Sequence, residues 1–204
     1  MEPLLHGFVL AFGLILPLGV QNVFIFNQGA THRKLSSAFP SVITAAICDT
    51  ALIYLAVSGV SIVVFSFEWL KTSLFLLGFV FLAYMGWVMW KTDPETSSNT
   101  QSSALTARRQ IIFAASVSLL NPHAIMDIVG VIGISSLVYT GEDKWIFTAA
   151  VIGVSWIWFV SLAIAGRKIG QIDTSGRLLK RVNQLSALII WMMALYILSQ
   201  LYSK

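Results

Sequence analysis

Long apolar runs separated by short polar segments follow one another along the whole chain. The apolar stretches fall at 4–27, 38–66, 69–90, 111–138, 145–165 and 184–202. Each stretch is long enough to cross the hydrocarbon core of a bilayer, for which an α-helix needs about 20 residues. The pattern therefore predicts an all-α membrane protein with six transmembrane helices, in contact with the lipid bilayer.

The composition narrows the class of protein further. The 204 residues are 57% apolar and 11% charged, whereas about a quarter of the residues in soluble domains are charged. This excludes a soluble protein and leaves little room for an enzyme domain outside the membrane. The single cysteine, Cys48, excludes an internal disulfide and a Cys-x-x-Cys redox pair. We expect no enzyme activity and no cofactor.

The few charges serve to orient the helices. The net charge is +4, but the basic residues are spread through short connections and form no patch with interleaved aromatic residues, so we expect no nucleic-acid partner. Of the 13 Lys and Arg residues, ten fall in the connections after the first, third and fifth spans and three on the opposite side. The excess of positive charge predicts that those connections are cytoplasmic and that both termini lie outside.

Two prolines in corresponding positions suggest an internal repeat. Sliding the second half of the chain onto the first aligns Pro17 with Pro122, each near the middle of the first span of a three-helix half. Because three is odd, two such halves have opposite orientations, as in transporters with inverted repeats and a site at the membrane midplane. We predict halves at 1–92 and 111–204, joined by a flexible, Ser-rich cytoplasmic loop at 93–110.

The two breaks have a chemical consequence. Proline removes a helix donor and clashes with the preceding turn, so the first and fourth helices are expected to break at Pro17, with Gly19 close behind, and at Pro122. Asn121 before Pro122 is typical of an N-cap followed by the first helical residue. The free N–H groups of such a helix start attract an anion such as an amino-acid carboxylate. A simple packing kink is the alternative.

Two carboxylates lie well inside predicted spans, Asp49 in the second and Asp127 in the fourth, without a Lys or Arg in those spans. A charge at the bilayer centre costs at least about 2.5 to 3.5 kcal/mol, which argues for a function. A cationic substrate, a sodium ion or a proton could supply the positive charge. His123 precedes Asp127 by four residues and shares its helix face. The alternatives are a protonated Asp bonded to a backbone carbonyl and a structural His.

Two amides follow the first break. The side chains of Gln21 and Asn22 could bond the ammonium or carboxylate group of a substrate, or they could tie helices together.

These motifs resemble the LysE family of amino-acid exporters, most closely its lysine and arginine exporter branch. The segments that carry the resemblance are Leu16-Pro17-Leu18-Gly19-Val20-Gln21-Asn22-Val23-Phe24, Asn27-Gln28-Gly29, Cys48-Asp49, Tyr84-Met85-Gly86, and Leu120-Asn121-Pro122-His123 with Asp127. The resemblance implies six helices, export of amino acids from the bacterial cytoplasm through the plasma membrane, and a homodimer. It also implies that Asp49 and Asp127 occupy the family's intramembrane acidic positions.

The expected function is therefore secondary export of L-arginine and L-lysine, coupled to inward proton movement. The chain contains no Gly-x-x-x-x-Gly-Lys-Ser/Thr loop for a nucleotide. An exporter of neutral amino acids or another small metabolite stays open, because an intramembrane Asp can serve a proton instead of a cationic side chain. A heavy-metal exporter is a remote alternative, since one cysteine and the scattered His6, His32 and His123 do not readily form a site, and we expect no metal.

Overall fold

All regular structure in the described residues is helical, as the sequence predicts. The computed structural model describes residues 1–16, 19–32, 34–59, 68–91, 105–173 and 177–202. The helices are α1 (Glu2–Ile15), α2 (Val20–Thr31), α3 (Phe39–Val57), α4 (Glu68–Lys91), α5 (Ala107–Leu119), α6 (Pro122–Met126), α7 (Gly141–Ile172) and α8 (Arg177–Tyr202). A 3-10 helix, Leu35–Ala38, precedes α3, and a π-helical segment, Asp127–Gly133, with a 3-10 turn, Ser136–Val138, follows α6.

Several helices are long and apolar enough to cross a membrane. They are α3 with its 3-10 turn, α7 and α8, and two bent pairs pass the same test when each pair is taken together. The axes of α1 and α2 differ by 80°, and those of α5 and the helix over Ala124–Val138 by 60°. The described helices thus give three crossings, or five if each bent pair is one crossing. Helix α4 is not counted, because its apolar part is short. Six crossings and inverted halves stay predictions.

The element boundaries differ from the expected ones at several ends. Helix α7 has 32 residues and extends past the predicted span at both ends. Helix α5 begins at Ala107, before the predicted end of the loop at 93–110. Residues 60–66 of the second predicted span and 93–104 of the predicted loop lie outside the described residues.

Helix α7 packs against α1, α2 and α3. It approaches α2 so closely that a Cβ atom on Gly166 would overlap the carbonyl oxygen of Phe26, and one on Gly170 would overlap that of Ala30. From the other side, a Cβ on Gly29 would overlap the carbonyl of Ala163. Small residues at a contact let helix backbones approach closely, which is a main source of helix packing energy in lipid.

Helices α4 and α8 form a second packed pair. Leu82 and Met85 of α4 pack with Ile190 of α8 in an apolar cluster, and this cluster also contains Val20 and Val23 of α2. A hydrogen bond from the Asn27 side-chain amide to Oδ1 of Asn183 joins α2 to α8 over 2.6 Å. The start of α2 therefore lies between this pair and α7.

Large apolar side chains also cover the outside of the bundle. Exposed examples are Leu4, Leu5, Phe8 and Val9 on α1, Leu76, Leu77 and Val80 on α4, and Leu185, Leu188 and Met192 on α8. Water-soluble proteins rarely expose contiguous apolar surface of this kind. These faces are suited to contact with lipid chains.

Candidate functional site

A cavity lies where α1, α2, α3, α6, α7 and α8 meet. Its space between atoms, including the open mouth, is about 720 Å³. Most of the wall is apolar. The polar side chains on it are those of Gln21, Asn22, Asp49, Asn121, Asp127 and Ser155. The fold thus brings together five of the six side chains singled out in the sequence as binding or coupling groups.

Asp49 lies halfway along α3 and is buried, with 8% of its surface exposed. Its Oδ1 accepts a hydrogen bond of 3.1 Å from Nε2 of Gln21, on the first turn of α2. No Lys or Arg stands among the described residues of the cavity wall. A neutral amide orients a carboxylate but does not neutralise its charge, so a cation or a proton is the natural complement of Asp49.

Asp127 begins the π-helical segment that continues α6. Its side chain is half-buried and faces the same cavity as Asp49, although the two residues belong to different helices. In a π-helix the backbone bonds run from i to i+5, and such segments occur frequently at functional sites. The segment turns Ile128 and Ile132 toward the cavity along with the carboxyl group.

The first break brings an uncapped helix start to the cavity. Gly19 precedes α2 with φ −78° and ψ 175°, and no side chain caps the helix. A Cβ atom on Gly19 would meet nothing within 4 Å. The first N–H groups of a helix have no partner within it and favour negative charge. The start of α2 therefore offers hydrogen-bond donors beside two carboxyl groups.

Asn22 joins protein groups across the same break. Its Nδ2 donates to the backbone carbonyl of Ile15 at the end of α1 over 2.8 Å. Its Oδ1 accepts from Nε1 of Trp158 on α7 over 3.3 Å. Of the two roles considered for this amide, substrate contact and helix tie, these bonds favour the tie.

The hydrogen bonds of Asn121 differ from those of Asn22 and Gln21. The residue is 7% exposed, its backbone carbonyl accepts from the N–H of Ile125 over 3.1 Å, and its Oδ1 has no hydrogen-bond partner among the described residues. The backbone bond is that of a residue at a helix start, as the sequence predicts. The side-chain oxygen is not used as a cap.

Three of the predicted residues fall wholly or partly outside the description. Pro17 lies outside the described residues, and for Pro122 and His123 the backbone at the start of α6 is described but the side chains are not. The pairing of His123 with Asp127 therefore stays a prediction.

The structure adds residues that sequence reasoning missed. Ser155 and Phe159 of α7 and Met193 of α8 line the cavity, and Trp158 supports Asn22. Ser155 and Trp158 both lie within a long apolar run, and a serine or a tryptophan in such a run gives no signal of its own. Only the packing of α7 against the first break reveals their places.

Comparisons with known proteins cover almost the whole chain. The model of the family described as LysE type translocator matches residues 12–201. YisU of Bacillus subtilis (strain 168), whose name proposes an amino-acid transporter, is 58% identical over 196 residues, 96% of this chain and 89% of that protein. The arginine exporter protein ArgO of Escherichia coli O157:H7 is 29% identical over 195 residues, 93% of this chain and 90% of that protein. No solved structure matches.

Proposed function

The chain belongs to the LysE type translocator family, and from this premise we propose that it exports the basic amino acids L-arginine and L-lysine across the bacterial plasma membrane. The observation that supports this most is the pair of acidic side chains, Asp49 and Asp127, on one cavity whose described wall holds no Lys or Arg. The names of the relatives, an amino-acid transporter and arginine exporters, agree with it.

The cavity has complementary groups for both ends of such a substrate. The N–H groups at the uncapped start of α2, next to Gly19, would receive the α-carboxylate, as helix starts commonly receive anions. Asp49 and Asp127 would face the cationic side chain, whose desolvation needs a counter-charge. The apolar residues Ile15, Ile53 and Ile128 on the wall would contact the methylene groups.

Export of a cation from a cell with an inside-negative potential requires energy, about 2.3 kcal/mol per elementary charge at 100 mV. In the proposed mechanism a proton moves inward in exchange and is carried by one of the two carboxyl groups. A homodimer with both termini outside completes the proposal. Dependence of arginine export on an imposed pH gradient in proteoliposomes tests the coupling, and protease accessibility of a terminal tag on intact cells tests the orientation.

A neutral amino acid is the second candidate, because most of the cavity wall is apolar. Here the carboxyl groups would carry only the coupling proton. Counterflow with labelled arginine, lysine, leucine and threonine in proteoliposomes separates the two candidates. The first candidate, a basic amino acid, is supported if arginine and lysine exchange at least about ten-fold faster than leucine. This ratio corresponds to a difference of about 1.4 kcal/mol in activation free energy. The reverse order overturns it.

A further inference from the structure

We propose that the side-chain oxygen of Asn121 accepts a hydrogen bond from the α-ammonium group of the transported amino acid. The proposal rests on the proposed function and assigns one group of that site. Asn121 lines the cavity, is 7% exposed, and its Oδ1 has no partner among the described residues. A buried acceptor without a donor is destabilising and needs an explanation, and a ligand that brings an N–H into the cavity supplies one.

The position of Asn121 makes the missing partner informative. An Asn before a helix ordinarily turns its side-chain oxygen back onto the N–H of the second or third helical residue. Here the backbone carbonyl of Asn121 accepts the first bond of the helix, from the N–H of Ile125, while Oδ1 has no partner in the part of the chain that the structure describes. Asn121, a residue of the cavity wall, thus carries a buried acceptor that the described protein groups do not use.

The other two carboxamides on the wall have protein partners. Gln21 donates through Nε2 to Asp49. Asn22 donates to the carbonyl of Ile15 and accepts from Trp158. Among the described carboxamides of the cavity wall, Asn121 is therefore the one with a buried side-chain oxygen that lacks a described partner.

The neutral character of Asn121 selects the α-ammonium group rather than a charged side chain. A cationic side chain in an apolar cavity needs a carboxylate as counter-charge, and Asp49 and Asp127 supply two. The α-ammonium group is compensated by the carboxylate on the same carbon atom of the substrate. It needs an acceptor of hydrogen bonds but no further negative charge, which is what a carboxamide oxygen offers.

The test compares ligands with and without the α-ammonium group on full-length protein in lipid nanodiscs. Binding is measured by calorimetry for L-arginine against 5-guanidinopentanoate, and for L-leucine against 4-methylpentanoate. For the wild type we expect loss of the ammonium group to weaken binding about ten-fold or more, the size of a charge-assisted hydrogen bond. For Asn121→Leu we expect the difference to shrink below about three-fold.

Two further substitutions of Asn121 and one control variant keep the result unambiguous. Asn121→Asp retains an acceptor oxygen and is expected to keep the discrimination. Asn121→Ser has a shorter side chain and is expected to lose the discrimination, so it provides the test if the Leu variant does not fold. Gln28→Leu is the matched control, because Gln28 is 6% exposed and its Oε1 also lacks a partner among the described residues, but Gln28 is not among the residues lining the cavity. We expect this variant to discriminate as the wild type does.

The possible outcomes separate this proposal from the proposed function. Equal discrimination by the wild type and both Asn121→Leu and Asn121→Ser overturns the role of Asn121 but leaves amino-acid binding intact. A wild type that binds amino acids and their desamino analogues equally overturns it as well. A wild type that binds neither amino acid overturns the proposed function itself, and the role of Asn121 with it.

Discussion

Gln21 and Asp49, 28 residues apart, are joined by a buried hydrogen bond of 3.1 Å from Nε2 to Oδ1. The amide belongs to the first turn of α2, directly after the break, and the carboxyl group to the middle of α3. The break therefore brings an amide to the carboxyl group as well as an uncapped helix start to the cavity. Loss of the Gln21 amide would leave a buried carboxylate without its donor.

Asp49→Asn and Asp127→Asn test the acidic pair. Removing one partner of a buried charge pair costs about 2 to 5 kcal/mol, so we expect each variant to lower arginine counterflow at least about 30-fold. The measurement is initial exchange of labelled arginine in proteoliposomes with matched amounts of protein.

The control for the acidic pair is Asp143→Asn. Asp143 is exposed in the first turn of α7 and does not line the cavity, so export is expected to stay unchanged. Folding of each variant is checked by size-exclusion chromatography. Normal arginine exchange by well-folded Asp49→Asn and Asp127→Asn proteins would show that the carboxyl groups do not serve the substrate.

Gly19→Asp tests the uncapped start of α2. The backbone of Gly19 already has the extended conformation of an N-cap residue, and a Cβ there meets nothing within 4 Å. The new carboxylate would bond the first N–H groups of α2, with a change in melting temperature of no more than about 2 °C. It would also displace and repel the α-carboxylate of the substrate. We expect arginine affinity to fall at least about ten-fold, measured by calorimetry.

Gly19→Asn separates charge from capping, because its side chain bonds the same N–H groups without a negative charge. We expect its arginine affinity to lie between those of the wild type and of Gly19→Asp. An Asp variant that bound arginine as tightly as the wild type would exclude the start of α2 as the carboxylate site.

The all-helical class of this fold could be predicted from the sequence, because twenty-residue apolar runs leave few alternatives in lipid. Asp49 and Asp127 could be singled out because a carboxyl group in such a run is costly and therefore noticeable, and Asn121 because an Asn before a proline is typical of a helix start. The roles of the two asparagines could not be separated in this way. Asn22 follows the first break and Asn121 lies at the second, and only the contacts of Asn22 with Ile15 and Trp158 distinguish a tie from an acceptor without a described partner.

The ends of the helices were harder to predict than their existence. Helix α7 continues through Arg167 and Lys168 to Ile172, because a helix can extend beyond the membrane where its basic side chains reach water. The guanidinium group of Arg167 donates to the backbone carbonyl of His32 over 2.6 Å, a long-range contact that hydropathy does not encode. The polar end of α7 is thus held by α2.

Asn22→Leu tests the tie across the break. The substitution preserves volume but removes the bonds to the carbonyl of Ile15 and to Nε1 of Trp158. Leaving a buried partner unsatisfied costs about 1 to 3 kcal/mol, so we expect the melting temperature to fall by about 2 to 10 °C. Trp158→Phe removes only the second bond and is expected to lower it less. Equal stability of Asn22→Leu and the wild type in a thermal scan would contradict a structural role.

Gly166→Leu tests the close contact of α2 with α7. A Cβ at this position would overlap the carbonyl oxygen of Phe26, a backbone atom that cannot move without the helix. Overpacking of this kind costs about 1 to 3 kcal/mol or more, and we expect a melting temperature lower by several degrees together with weaker export, since the start of α2 belongs to the cavity. Gly153→Leu is the matched control on the same helix, because a Cβ at Gly153 meets nothing within 4 Å. Similar thermal stability of the two variants would mean that α2 and α7 are not held together at Gly166.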